Sequence, residues 1–107
     1  MDVYVGEKLL LRDVEEAKTY LKRLRGMIRR PISSLYIPRC HSIHTFFMKK
    51  PIDVIFLDQE MNIVWIAKNV LPRQIRMSKR AAHVLELDAH MADQLGLGEG
   101  QSLTLVK

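Results

Sequence analysis

The stretch PIDVIFLDQEMNIVWIAKNV, residues 51–70, decides the fold. Two strand-length apolar runs, Ile52–Leu57 and Ile63–Asn69, flank DQEMN, whose aspartate and asparagine favour a tight reversal. The spacing predicts an antiparallel hairpin. Its first run is apolar at odd and even positions alike, and a strand turns successive side chains to opposite faces, so the run is expected to be buried on both. Asp53 sits inside it, between Ile52 and Val54. A carboxylate buried there needs a partner. The expected donors are His44, Thr45, a basic side chain or backbone amides near the start of the strand. One reading is a structural lock on strand register; the other is a ligand-binding or catalytic group.

Just upstream, CHSIHTFFMKK (residues 40–50) holds the only cysteine and two of the four histidines. Thiolate and imidazole are zinc ligands, yet in an extended segment Cys40 and His44 point one way and His41 the other, and no compact ligand spacing completes a set. No metal and no cofactor are expected. Cys40 also lacks the sequence context of a cysteine nucleophile.

The rest of the chain supplies further elements. Around Gly6, VYVGEKLLLRD suits a short hairpin of Val3–Val5 with Lys8–Leu11. Val14, Ala17, Tyr20, Leu21, Leu24 and Ile28 recur at three- and four-residue steps, with Asp13 as N-cap, acids in the first turn and Pro31 beyond the end. This pattern predicts an amphipathic N-terminal helix. Beyond Pro31, SLYI, IHTFFM and AHVLEL are strand-length and β-rich, whereas LPRQIRMSKR reads as a polar loop. DAHMADQLGL predicts one short C-terminal helix capped by Asp88 and stopped by Gly96, and GEGQSLTLVK a turn and a last strand. The expected architecture is a single α+β domain over residues 1–107, built on a mostly antiparallel sheet or barrel with those two helices.

Composition agrees with one domain: 107 residues, 48% hydrophobic and 27% charged, enough to bury a core without disulfides. With a lone cysteine, no basic flank leading into an apolar run at the N-terminus, and no membrane-length apolar stretch, the chain reads as cytoplasmic with no membrane span. Its net charge of +5 is uneven: residues 1–80 hold 16 Lys and Arg against 8 Asp and Glu, residues 81–107 hold 1 against 4. Two basic clusters stand out, one containing Arg25, Arg29 and Arg30, the other Arg73, Arg76, Lys79 and Arg80. Side by side they would form a phosphate-binding surface; apart they are a solvated helix face and loop.

Taken in succession, AKTYLKRLRGMIRR, HTFFMKKPIDVIFLD, IVWIAKNVLP and HVLELDAHMADQLGLGEGQSLTL resemble the signatures of the domain of unknown function 192 family over residues 17–106. The resemblance implies a mostly antiparallel β-sandwich or barrel with one or two small helices. The family's motif falls on His44, Thr45, Phe46, Phe47, Met48, Pro51, Ile52 and Asp53, with Glu86 in a later strand. This sequence departs at Lys50, at His90 where members often carry glycine, and at Gln101 where they often carry aspartate. The family implies no established activity. The expected function is non-catalytic binding of a protein partner or small polar ligand at a pocket containing His44, Thr45, Asp53 and Glu86. A small enzyme or metal-dependent site around His44, Asp53 and Glu86 is the alternative. Nucleic-acid binding through the basic residues comes third.

Overall fold

The computed structural model describes residues 1–17, 34–46 and 48–107. Ten strands and one short helix follow in order: β1 Asp2–Val5, β2 Lys8–Leu11, β3 Glu15–Glu16, β4 Ser34–Ile37, β5 Ser42–His44, β6 Ile52–Leu57, β7 Ile63–Val70, β8 Ile75–Met77, β9 His83–Asp88, α1 Met91–Gln94 and β10 Thr104–Val106. They form a three-stranded sheet β10-β1-β2, a five-stranded sheet β3-β4-β9-β6-β7, and a two-stranded sheet β5-β8.

The hairpin predicted from residues 51–70 is the middle of the structure. Strand β6 pairs with β7 on one side and β9 on the other, and all six of its residues are buried. Its alternation separates two cores. Ile55 and Leu57 join Val3, Leu85, Leu87, Ala92 and Leu103, under the three-stranded sheet and α1. Ile52, Val54 and Phe56 join Leu35, Ile43, Val70 and Val84, under β5. A run apolar at every position is thus what a sheet covered on both faces requires. Each such side chain contributes about 1.5–3 kcal/mol by leaving water.

The reversal between β6 and β7 is built by Asp58. Its carboxylate accepts the backbone N–H groups of Glu60 (3.0 Å) and Asn62 (2.9 Å) and the Asn62 side-chain amide (3.3 Å). Met61 takes the left-handed conformation, φ 65°, that closes the turn. These donors, the Asn62 backbone first, hold the Asp58 carboxyl below its ordinary range. The amino-terminal hairpin also forms as expected, from β1 and β2.

Three expectations are corrected. The α+β class gives way to a mostly β structure, because α1 is the only helix among the described residues. The barrel does not close among the described residues: β3 and β7 stand at the two ends of the five-stranded sheet. The predicted N-terminal helix does not begin at Asp13. Glu15 and Glu16 instead pair in parallel with Leu35 and Tyr36, extending the sheet, and residues 18–33 of that prediction lie outside the described residues. The reason is visible in Val14 and Ala17. A helix would set positions three apart on one face, but an extended chain sets them on opposite faces. Val14 enters one core and Ala17 the other.

The C-terminal helix exists, with a different start. Asp88 ends β9 rather than capping α1; the N-cap is His90, at φ 75° and without a side-chain cap bond. The glycine that the resemblance associates with position 90 suits that left-handed backbone. Gly96 stops the helix as predicted, at φ 68°, with the Leu97 N–H bonded to the Ala92 carbonyl at 2.9 Å. LPRQIRMSKR is not all loop, since it contains β8.

Candidate functional site

Asp53 is 1% exposed, and both of its oxygens are engaged. One accepts the backbone N–H of Asn69 at 2.9 Å, the other that of Ala92 at 3.0 Å. The donors come from β7 and α1, not from the start of its own strand. Asn69 lies at φ 52°, where the β6–β7 register slips so that Ile52 faces Val70 but Val54 faces Ala67. The carboxylate therefore holds a β-bulge and the first turn of α1 onto the sheet at once. Lys68, beside the bulge, reaches Asp93 of α1 at 2.7 Å, and that hydrogen bond raises the lysine above its ordinary range.

Thr45 is fully buried and ties a different corner. Its hydroxyl donates to the Leu71 carbonyl at 2.6 Å and accepts the Gln74 N–H at 2.9 Å. Its backbone N–H donates to the Gln74 carbonyl, and its carbonyl accepts the Arg73 N–H at 3.0 Å. Residues 71–74 are thereby fixed against the end of β5. Strand β8 follows directly and pairs with β5, His44 facing Ile75 and Ser42 facing Met77. The His44 ring stacks on Phe46 at 5.2 Å.

Glu86 is 5% exposed and stands opposite Val54 on β6 and Leu35 on β4. Its neighbour Leu87 stands opposite Asp53. Directly paired residues share a face and consecutive ones do not. Glu86 and Asp53 thus point to opposite sides of one sheet. The expected pocket of His44, Thr45, Asp53 and Glu86 resolves into separate places: Asp53 under α1, Glu86 on the reverse face, and Thr45 with His44 at the β5–β8 strand pair.

The Cys40 thiol donates to the Ser42 carbonyl at 3.1 Å, and the Arg39 N–H donates to His83 Nδ1 at 3.1 Å. Among the described residues no three His, Cys, Asp or Glu side chains gather as metal ligands. Of the basic residues, Arg25, Arg29 and Arg30 lie outside the described residues, while Arg73, Lys79 and Arg80 are exposed and Arg76 is half-buried.

One feature escaped the sequence reading. Phe46, Leu71, Ile75 and Met77 are 49%, 48%, 59% and 56% exposed; Ile75 and Met77 lie on β8, Phe46 just past the end of β5, and Leu71 in the turn that Thr45 anchors. Cross-strand pairing puts Ile75 and Met77 on the same face as His44 and Ser42, opposite Ile43, which enters the core. The available signal was the alternation of Ile75, Arg76 and Met77, a period-two pattern inside a segment assigned to loop by its polarity.

Comparison with known proteins adds the following. The family described as uncharacterized ACR, DUF192, matches residues 3–105. A UPF0127 protein of Pyrococcus abyssi is 41% identical over 81 residues, 68% of each chain. The fold is similar to that of a protein of unknown function from Novosphingobium aromaticivorans, with a TM-score of 0.79 at 19% identity over 97% of this chain and 82% of that one. It is also similar to a proposed transcription regulator from Sinorhizobium meliloti, with a TM-score of 0.73 at 26% identity over 85% and 79%. Among the described residues no helix is long and apolar enough to cross a membrane.

Proposed function

The chain belongs to the DUF192 family of uncharacterised proteins, and on that premise we propose that it is a non-catalytic binding module whose contact surface is the outward face of the β5–β8 strand pair. One observation carries the reading. Four large apolar side chains, Phe46, Leu71, Ile75 and Met77, stay in water on or beside this pair, where Thr45 bonds residues 71–74 to the end of β5. Apolar side chains that gather on the surface and add little to the core are characteristic of contact surfaces. Their surroundings fit a protein partner, because aliphatic groups beside guanidinium and ammonium groups make a mixed interface of the kind that protein surfaces complement.

The rival reading, a small enzyme around His44, Asp53 and Glu86, is weakened by the opposite orientations of the two carboxylates and by the two amides that occupy Asp53. A nucleic-acid reading draws on Arg73, Arg76, Lys79 and Arg80 and on the likeness to a proposed transcription regulator. It stands behind because the surface offers nucleobases one aromatic ring, that of Phe46, and His44 already stacks against it.

The test is a photo-reactive residue at position 75, with a second chain labelled at Glu99 on the far turn as control, used in extract of the source cells. Binding through the β5–β8 pair gives a saturable cross-link to one species from position 75 and none from 99. Replacing Phe46 and Met77 with serine then abolishes the cross-link while moving Tm by less than about 3 °C. No saturable product from position 75 overturns the reading.

A further inference from the structure

We infer that β8 receives an acidic, extended segment of a different protein as an added strand, an inference that rests on the binding-module reading and specifies its partner. Among the described residues β8 is hydrogen-bonded to β5 alone, and none of them pairs with its second edge. The phase of the ladder shows what that edge presents. In an antiparallel pair, residues alternate between bonding the partner strand and directing N–H and C=O outward. The Ser78 N–H donates to the His41 carbonyl at 3.0 Å, and the Thr45 N–H to the Gln74 carbonyl at 2.8 Å. Positions 74, 76 and 78 therefore face β5, and Ile75 and Met77 turn their backbone groups outward. In keeping with this, the Ile75 carbonyl accepts the guanidinium of Arg76 at 2.8 Å instead of a strand.

The same two residues carry the exposed apolar side chains, at 59% and 56%. An incoming strand would find backbone donors and acceptors at one spacing and apolar contacts at the same spacing, the arrangement by which extended peptides extend a sheet edge. The charge around this edge selects the occupant. Leu71–Arg80 contains Arg73, Arg76, Lys79 and Arg80 and no carboxylate. The described salt bridges, Lys50 to Asp88 and Lys68 to Asp93, lie outside this segment, and of its four cations Arg80 faces the Asp58 carboxylate. Arg76, resting on the Ile75 carbonyl and the Gln74 side chain, stands where a partner carboxylate would arrive. Pairing β8 with β8 of a second copy would bring Arg73, Arg76 and Lys79 against their counterparts, so self-association along this edge is opposed by charge. An acidic strand with apolar residues at alternate positions satisfies both features.

The experiment titrates a blocked heptapeptide of alternating glutamate and valine into the full chain, following backbone amide NMR shifts. Controls are a lysine–valine peptide and phosphatidylserine vesicles. The expected result is saturable binding that shifts the Ile75 and Met77 amides, weakens several-fold when salt rises from about 50 to about 500 mM, and is absent for the lysine peptide. Met77→Pro removes an outward N–H while leaving the β5 ladder intact, as edge strands allow. It should weaken the peptide about tenfold, the loss of one hydrogen bond, with Tm nearly unchanged. Should Met77→Pro unfold the chain, Ile75→Ser with Met77→Ser supplies the same comparison through the side chains.

Peptide binding that is insensitive to these variants overturns the inference. So does binding of vesicles in place of peptide, or dimerisation of the chain through β8. In those two cases the β5–β8 pair remains a contact surface and the binding-module reading survives. No peptide binding alongside a saturable cross-link from position 75 overturns strand addition alone; loss of both ends both.

Discussion

The Asp53 corner and the β5–β8 strand pair are built from similar residues put to opposite uses. Around Asp53 a carboxylate is taken inside with its apolar neighbours Ile52 and Val54, and it is matched to two amides from elements far apart in the chain. At the strand pair a neutral hydroxyl, that of Thr45, is taken inside, and Ile75 and Met77 are left out. The first arrangement converts burial into stability. The second uses a small buried anchor beside an apolar surface that stays in water, where it adds little to the fold.

Replacing Asp53 is the strongest way to break this contrast. Asp53→Ala leaves the Asn69 and Ala92 amides buried without acceptors, and a loss of about 2–4 kcal/mol is expected in denaturant unfolding. Asp53→Asn keeps the shape but turns an NH₂ group toward one of the two donors, so it should also destabilise. If the asparagine variant unfolds at the wild-type denaturant concentration, the carboxylate is not a structural lock. Thr45→Val comes next. It removes the anchor of residues 71–74 without changing volume, with an expected cost of about 1–3 kcal/mol. Faster hydrogen exchange at Arg73 and Gln74, leaving β6 protected, would show that the β5–β8 pair is a separate unit; uniform loss of protection would merge the two regions.

The smallest effect is a pH dependence at the turn that supports the central hairpin. The Asp58 carboxyl is held below its ordinary value by the Asn62 and Glu60 donors. Its contribution is therefore complete above the unfolded value of about 3.9 and is lost as pH falls through the lower folded value. Unfolding midpoints measured between about pH 5 and pH 2 should fall more steeply for the native chain than for Asp58→Asn. Equal slopes would detach the turn from acid stability. Tyr36 acts at the other end: burial, then the nearby Glu16 charge, raises its phenol, so its folded form keeps the proton past pH 10. Stability from this group is present below the unfolded value and declines as pH rises through the raised one.

Much of the centre was readable in the chain itself. A run apolar on both strand faces, DQEMN as a reversal, and Gly96 after DAHMADQLGL each depend on neighbouring residues, and each appears where that chemistry puts it. Local torsional preference and side-chain alternation are properties of a short segment, so sequence by itself determined the β6–β7 hairpin, the helix stop and the burial of Asp53. What the tertiary structure alone decided are matters of which face is covered and by what. Val14 and Ala17 fit a helix or a strand equally well until two cores lie on either side of them. Asp53 and Glu86 look like potential partners until pairing with Leu87 and Val54 turns them apart. The donors to Asp53 lie 16 and 39 residues away, and Ile75 and Met77 are exposed because Ile43, on the paired strand β5, takes the buried side. Such contacts arise from chain segments brought together only by folding, and residue spacing does not encode them.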